Sequence, residues 1–300
     1  MSHAPNGVRA LRLGAALLVA ACSSPPSGPL AAGVPSFVFV ADVNGKAQLF
    51  RWTADSVHRL VADSANDSDP RMTAGRLAYT SDRTGVPHIY LADADTAPAR
   101  RATAGNAVEG WPALSPGADS IAYVANGGGV LRIWLVAAPP AGDTTVATAA
   151  PLATGSSAAY SEGAPAWNPR GGSIAFTSTR GGISQVYVVP SGGGSAVQLT
   201  HESGGAFAPA WTADGSTVLY VSGSGLPALR AVNVATGGAS SAAADTLGIG
   251  EPSCGASLCL AVTDPSGSGG AIVVFTPGRG SPVVVLPRTS GEREPAFVSP

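Results

Sequence analysis

The sequence has few charged residues and almost no lysine, and these absences exclude several classes of protein. Only 12% of its 300 residues are charged, and Lys46 is the single lysine. The formal net charge is −2 and no basic block stands out, so nucleic acid is not an expected partner. Helical stretches rich in Leu, Glu and Lys are absent, whereas 39 Gly and 25 Pro predict a chain of strands and turns.

The sequence also lacks an apolar run long enough to cross a membrane. The apolar run at residues 13–21 is far shorter than the ~20 residues that a membrane-spanning helix needs. Arg9 and Arg12 precede this run, which is the arrangement of a secretory signal peptide. The run ends on Val-Ala-Ala-Cys, with the cysteine at position 22, and this ending resembles the lipobox of bacterial lipoproteins.

The lipobox resemblance implies three segments and a location. We predict a lipoprotein signal peptide over residues 1–21, a flexible tether over 22–35 that begins with lipidated Cys22, and a folded body over 36–300. Ordinary signal-peptidase cleavage, with Cys22 incidental, is the alternative. Ser23 is not the Asp that retains lipoproteins in the inner membrane of enteric bacteria. The expected location is therefore the periplasmic leaflet of the outer membrane in a Gram-negative source, and otherwise the cell surface.

A proline followed two residues later by an apolar residue recurs through the body. Successive motif prolines are separated by 42, 53, 44, 43 and 43 residues. Each of the first five is followed by a turn rich in Gly, Pro or Asp, then by an alternating run and two further short strands. Four short strands in such a period predict one propeller blade. The motif prolines are Pro70, Pro112, Pro165, Pro209, Pro252 and Pro295.

The two ends of the body predict the number of blades. The first unit, residues 37–61, lacks a motif strand, and the chain ends on a motif strand, residues 294–298, with no blade behind it. Pairing of these two fragments would close a ring and remove its exposed sheet edges. The sequence thus predicts an all-β fold, a six-bladed β-propeller closed by pairing of the C-terminal strand with the N-terminal blade.

The repeats resemble the TolB-like propeller family, also called WD40-like or PD40. Residues 165–176 follow its Pro-Ala-Trp-Ser-Pro-Asp-Gly turn and Ile-Ala-Phe strand, and residues 80–90 follow its Ser-Asp-Arg-x-Gly turn and Ile-Tyr strand. The resemblance covers nearly the whole body and implies the propeller fold, although such propellers serve many roles. TolB itself has an α/β domain ahead of its propeller and no lipid anchor, so we expect a TolB-like chain that lacks this domain.

Acidic residues recur three residues and one residue before the motif prolines. The family resemblance implies that this segment lies beside the central channel, so the repeats would gather the carboxylates around one mouth. Such a ring could bind a cation, for which Ca²⁺ is the candidate, or a basic peptide. The alternative is that each carboxylate accepts local backbone hydrogen bonds and shapes its turn. The candidates are Asp67, Asp69, Glu109, Glu162, Glu251, Glu292 and Glu294, together with Trp111 as a contact surface or a packing residue.

Cysteines, histidines and nucleophile motifs are too sparse to predict catalysis. Cys254 and Cys259 flank a predicted tight turn and are expected to form a small disulfide or to remain buried thiols. They lack the Cys-x-x-Cys spacing of a redox site. The histidines share no spacing for a metal site, and no Gly-x-Ser-x-Gly motif occurs.

These observations predict a non-catalytic, lipid-anchored binding or scaffolding module of the bacterial envelope. Its expected partner is an envelope protein or peptide, and we expect a monomer that touches the membrane only through its anchor. No cofactor other than Ca²⁺ is considered. The alternative is a carbohydrate- or metal-binding propeller that uses the acidic mouth, because some related propellers act on polysaccharides. A third possibility is a repeat protein with a purely structural use.

Overall fold

The computed structural model describes residues 33–93, 98–127, 129–155, 159–242, 248–263, 270–286 and 293–299. Two of the predicted site residues, Cys22 and Glu292, lie outside these ranges, as does the predicted signal peptide. The described residues form strands joined by turns, which confirms the predicted all-β class. Within the same ranges, no helix has the length and apolar character needed to cross a membrane.

The strands of the described residues are short and follow one another closely along the chain. In chain order they are β1 (Phe37–Val43), β2 (Lys46–Trp52), β3 (Val57–Arg59), β4 (Asp67–Thr73), β5 (Arg76–Ser81), β6 (His88–Ala92), β7 (Arg100–Arg101), β8 (Glu109–Leu114), β9 (Ser120–Gly127), β10 (Val130–Ala137), β11 (Ala150–Pro151), β12 (Glu162–Trp167), β13 (Ser173–Ser178), β14 (Gln185–Pro190), β15 (Val197–Gln198), β16 (Ala206–Trp211), β17 (Thr217–Ser222), β18 (Ala228–Asn233), β19 (Ala239–Ser241), β20 (Ile249–Cys254), β21 (Cys259–Thr263), β22 (Ala271–Thr276), β23 (Arg279–Leu286) and β24 (Arg293–Ser299).

The unit from β16 to β19 illustrates how the sequence builds the repeat. Antiparallel pairing joins β16 to β17, β17 to β18 and β18 to β19. Asp214 closes the first turn because it accepts hydrogen bonds from Thr212 Oγ1 at 2.6 Å and Ser216 N at 3.1 Å. Gly215 takes a φ of 67° in this turn, a conformation that glycine adopts without a steric penalty.

The core lies between neighbouring sheets. Val218 and Tyr220 of β17 pack against β13 and β14, whereas Leu219 and Val221, which alternate with them, pack against β21 and β22. Both faces of the strand are therefore covered, which explains why it is apolar throughout. Burial of each such side chain contributes about 1.5–3 kcal/mol to folding.

The sheets are joined by the strands that carry the motif prolines. Among the described residues, four sheets have four strands each, and a fifth has eight, in the order β3-β2-β1-β24-β4-β5-β6-β7. In this larger sheet β24 pairs antiparallel with β1 and parallel with β4. Strands β4, β8, β12, β16, β20 and β24, which we call the inner strands, contact one another in this order, and β24 also contacts β4.

Candidate functional site

Every inner strand has a β-bulge at its motif proline. The residue before the proline has a positive φ, between 45° and 53°, and the pairing register shifts across it. This conformation costs about 1–3 kcal/mol for a residue other than glycine, and the packing of the inner strands maintains it. We call these residues the bulge ring: Asp69, Trp111, Ala164, Ala208, Glu251 and Glu294.

Three carboxylates of the bulge ring accept hydrogen bonds from the backbone of the following inner strand. Glu294 N donates to Glu251 Oε2 at 2.5 Å, and Asp69 N donates to Glu294 Oε2 at 2.5 Å. Trp111 N donates to Asp69 Oδ2 at 3.4 Å, and Thr80 Oγ1 donates to the same oxygen at 2.9 Å. The three carboxylates therefore lie on consecutive inner strands, β20, β24 and β4. We call Glu251, Glu294 and Asp69 the acidic arc.

Burial and neighbouring charges change the titration of two members of the acidic arc, Glu294 and Glu251. Burial, followed by the charge of Asp69, raises the pKa of Glu294 to about 7. Burial is also the main cause that raises the pKa of Glu251. The positive charge of Arg293, whose Nε lies 3.6 Å from Glu294 Oε1, offsets part of the rise in the pKa of Glu294. The same guanidinium also forms an ion pair with Asp42, with 3.0 Å between Nη1 and Oδ1. Near neutral pH, Glu294 is consequently protonated in a substantial fraction of molecules.

The remaining members of the bulge ring, Trp111, Ala164 and Ala208, carry no charge, and two aromatic rings are exposed here, one in Trp111 itself and one in the neighbouring Phe207. Trp111 is 44% exposed, and Phe207, next to Ala208 in β16, is 43% exposed. Both rings lie over glycine backbone: a Cβ added to Gly163 would lie 3.8 Å from Trp111 Cζ3, and one added to Gly223 would lie 3.0 Å from Phe207 Cε2. Exposed aromatic side chains are typical of contact surfaces. We call Trp111, Ala164, Phe207 and Ala208 the apolar arc.

The acidic residues three places before the motif prolines correct the prediction of one shared mouth. Asp67, Glu109 and Glu162 are only 0%, 4% and 2% exposed, so a ligand at a channel mouth does not reach them. Asp67 lies 3.5 Å from Arg83 Nη2, and burial is the main cause that raises its pKa. Arg83 also covers the ring of Tyr90, with 4.2 Å between the guanidinium carbon and the ring centroid.

Glu109 and Glu162 have equally local partners. Glu109 accepts a hydrogen bond from Thr103 and lies 3.1 Å from His88 Nδ1. Glu162 accepts a hydrogen bond from Arg180 Nη2 at 3.0 Å. Both carboxylates are thus held by nearby side chains, a structural role that differs from the alternative left open by the sequence, in which the local backbone of the turn would be the partner.

The other candidate ligands are also accounted for within the described ranges. No group of three or more His, Cys, Asp or Glu side chains there is arranged to hold a metal ion. Cys254 and Cys259 are joined by a disulfide across β20 and β21, one of the two states left open for this pair.

Comparisons with known proteins identify the fold. No family model and no curated protein matches the sequence. TolB from Acinetobacter baumannii matches with a TM-score of 0.72 and 21% identity, over 89% of this chain and 67% of that chain. A protein assigned as TolB from Agrobacterium tumefaciens matches with a TM-score of 0.56 and 17% identity, over 69% of this chain and 88% of that chain.

A structure with an enzyme name also matches. Oligogalacturonate lyase from Vibrio parahaemolyticus has a TM-score of 0.55 and 11% identity, over 85% of this chain and 75% of that chain. At such identities the likeness concerns the fold and leaves the activity open. The repeated strands and these matches lead to one conclusion, that the described body of this chain has the fold of a TolB-like β-propeller.

Proposed function

We propose that this chain is a non-catalytic propeller that binds a protein partner at its bulge ring. The observation that carries the proposal is the division of that ring into an acidic arc and an apolar arc. The occupant that suits both arcs is an extended peptide segment with a cationic part and an apolar part. The acidic arc attracts the cationic residues, and the exposed rings of Trp111 and Phe207 cover the apolar ones.

The proposal includes the finer architecture. Six blades surround one channel, and the blade that closes the ring combines β24 with β1, β2 and β3. The antiparallel pairing of β24 with β1 supports this arrangement, as does the order of contacts among the inner strands. Closure holds the six bulge residues in a ring, which gives a binding segment a rigid surface with no loss of loop entropy.

The cellular setting is part of the same proposal. Lipid attachment at Cys22 would hold the propeller, as a monomer, at an envelope membrane, and residues 23–35 would space it from the surface. Confinement near a membrane raises the effective concentration toward other envelope proteins, which suits a binding surface of moderate affinity. Replacement Cys22→Ala is expected to move the protein from the membrane fraction to the soluble fraction. Retention of this variant in the membrane fraction would argue against the anchor.

A carbohydrate-binding propeller is the second candidate. The observation that favours it is the pair of exposed aromatic rings lying over glycine backbone, a flat surface on which a sugar ring stacks. The acidic arc repels anionic glycans, so the ligand in this case would be a neutral glycan. The structural match to an oligogalacturonate lyase gives further support to a carbohydrate as the class of ligand.

Affinity capture from cells of the source organism tests the proposal. The tagged full chain is cross-linked in the cells, and the proteins it captures are compared with those captured by two variants. The charge variant is Glu251→Gln with Glu294→Gln, and the apolar variant is Trp111→Ala with Phe207→Ala. Both keep the backbone of the bulge ring, and circular dichroism checks that both fold.

Matched controls change similar residues away from the bulge ring. Asp55→Asn neutralises an exposed carboxylate, and Val197→Ala shortens an apolar side chain that is 62% exposed on β15. The proposal predicts one partner that is lost from both ring variants, kept by both controls and released as salt screens the acidic arc. A partner kept by both ring variants would contradict it. Loss of a neutral glycan from the apolar variant alone would favour the second candidate.

A further inference from the structure

We propose that the Cys254–Cys259 disulfide is a thiol–disulfide exchange site. A cleft between two hairpins gives a small thiol access to it, and opening of the disulfide weakens the packing of the C-terminal strand β24. This site lies at the ends of β20 and β16 that are away from the bulge ring. It differs from the proposed binding surface, although β24 also carries Glu294 of the bulge ring, so reactivity of the disulfide and capture of a partner are measured separately.

The position of the disulfide in the ladder makes its opening reversible. Cys254 ends β20, Cys259 begins β21, and the two are direct partners in the antiparallel register. Gly255 N donates to Leu258 O at 2.9 Å and closes the turn between them. Because backbone hydrogen bonds hold the hairpin, breaking the sulfur–sulfur bond leaves the two thiols side by side. Such a pair is positioned to form the bond again.

A cleft gives access to this disulfide. It has a volume of about 300 Å³ and is lined by residues of the Cys254–Cys259 hairpin and of the β16–β17 turn, together with Pro277. Cys254 is half-buried, whereas Cys259 is only 2% exposed. Both cysteines line this cleft and Cys254 is the more exposed of the two, so Cys254 is the sulfur that we expect a small thiol to reach, and the volume leaves no room for a folded protein domain.

The facing turn gives the cleft a negative charge. Asp214 accepts hydrogen bonds from Thr212 Oγ1 at 2.6 Å and from Ser216 Oγ at 2.8 Å. These bonds lower the pKa of Asp214 to about 2, so this carboxylate is ionised at neutral pH. Asp214 is the charged residue in the lining of the cleft, whereas Arg170, which also lowers the pKa of Asp214, is not part of that lining; the carboxylate therefore favours a cationic thiol reagent over an anionic one.

The exchange follows the ordinary chemistry of disulfides. The incoming thiolate bonds to Sγ of Cys254, the bond to Cys259 breaks, and Cys259 leaves as a thiolate that takes a proton from water. A second thiolate attacks the sulfur of the first reagent molecule, and Cys254 leaves as a thiolate that is protonated in turn. Two electrons pass from the two thiols to the protein, and the reagent becomes its own disulfide.

The same hairpin supports β24. Phe297 N donates to Ser253 Oγ at 3.1 Å, and a Cβ added to Gly255 would lie 3.3 Å from the ring of Phe297. Phe297 is 4% exposed, so the turn between the two cysteines forms part of the surface on which this ring is buried. Opening of the disulfide removes a covalent restraint from that turn while its backbone hydrogen bonds remain, so the turn fluctuates more and the packing of β24 against it weakens.

The full chain tests the proposal in its folded state. Cysteamine and 2-mercaptoethanesulfonate, a cationic and an anionic thiol, are compared at equal thiolate concentration, and free thiols are tagged and assigned by peptide mass. This assignment separates Cys254 and Cys259 from Cys22. We expect cysteamine to react roughly fivefold faster, because a carboxylate about 8 Å from the charge of the reagent speeds the cation and slows the anion by somewhat more than twofold each in water. The preference should vanish in Asp214→Asn and persist in Asp55→Asn.

Hydrogen–deuterium exchange tests the coupling to β24. Faster exchange is expected in residues 293–299 after reduction, and the same change is expected without any thiol in a variant with Cys254→Ser and Cys259→Ser. Two results would overturn the proposal. One is a disulfide that reacts only after denaturant unfolds the chain, and the other is unchanged exchange in residues 293–299 in both the reduced protein and the double variant.

Discussion

Replacement of Glu294 by Gln should stabilise the protein at pH 8 and leave its stability at pH 4 nearly unchanged. Glu294 is buried next to Asp69 and Glu251, and its pKa rises from 4.5 to about 7 on folding. The folded state therefore binds the proton more tightly than the unfolded state. Stability falls as the pH rises between these two values, and the penalty is complete above pH 7.

The size of the effect follows from the shift. A rise from 4.5 to about 7 corresponds to at most about 3 kcal/mol of unfolding free energy. Glu294→Gln removes the ionisation but keeps an oxygen that can accept the hydrogen bond from Asp69 N. The variant should therefore gain up to about 3 kcal/mol over the natural protein at pH 8.

Urea denaturation at several pH values provides the assay. The unfolding free energies of the natural protein and Glu294→Gln should coincide at pH 4 and separate progressively through pH 7. Asp55→Asn, which neutralises an exposed carboxylate, should follow the natural protein at every pH. A difference between Glu294→Gln and the natural protein that is the same at pH 4 and pH 8 would refute the reasoning.

Two further replacements test the packing that positions the bulge ring. Arg180→Ala leaves the carboxylate of Glu162 buried without its charge partner and should cost about 3–5 kcal/mol in urea denaturation, whereas unchanged stability would show that the pair is not needed. Gly204→Ala should lower the melting temperature sharply, because its Cβ would lie 2.3 Å from the carbonyl oxygen of Gly223, while Gly192→Ala, with no atom within 4 Å, should not. Equal melting temperatures for the two alanine variants would contradict the close approach of these backbones.

The order of the strands was predictable because residues at fixed places in each repeat mark where strands and turns begin. The motif prolines mark the inner strands, and glycine and aspartate turns such as Asp214-Gly215 mark the hairpins between strands. Strands that are buried on both faces are apolar throughout, as Val218 and Leu219 on opposite faces of β17 show, and these apolar runs predicted the strands. These signals are local, so a single sequence is enough to read them.

The site was only partly predictable, because the regular alternation of side chains between the two faces of a strand is interrupted at a β-bulge. Asp67 and Asp69 are two residues apart and were expected at one mouth, yet Asp67 is fully buried and Asp69 belongs to the bulge ring. The positive φ before each motif proline has no residue-type signal, since Asp, Trp, Ala and Glu all occur there. Phe207 was missed, although it occupies a position where Gly110, Gly163 and other small residues stand in most repeats.

Site-specific photo-cross-linking tests the central proposal most directly. A photoreactive phenylalanine analogue replaces Phe207 in the full chain. In a second variant it replaces Val197, which is more exposed but lies on β15, at the edge of its sheet opposite the inner strand β12. After irradiation in cells, mass spectrometry identifies the captured protein and the segment attached. Capture at position 207 alone, of a segment with cationic and apolar residues, is the predicted result. Equal capture at both positions, or an acidic segment at position 207, would contradict binding at the bulge ring.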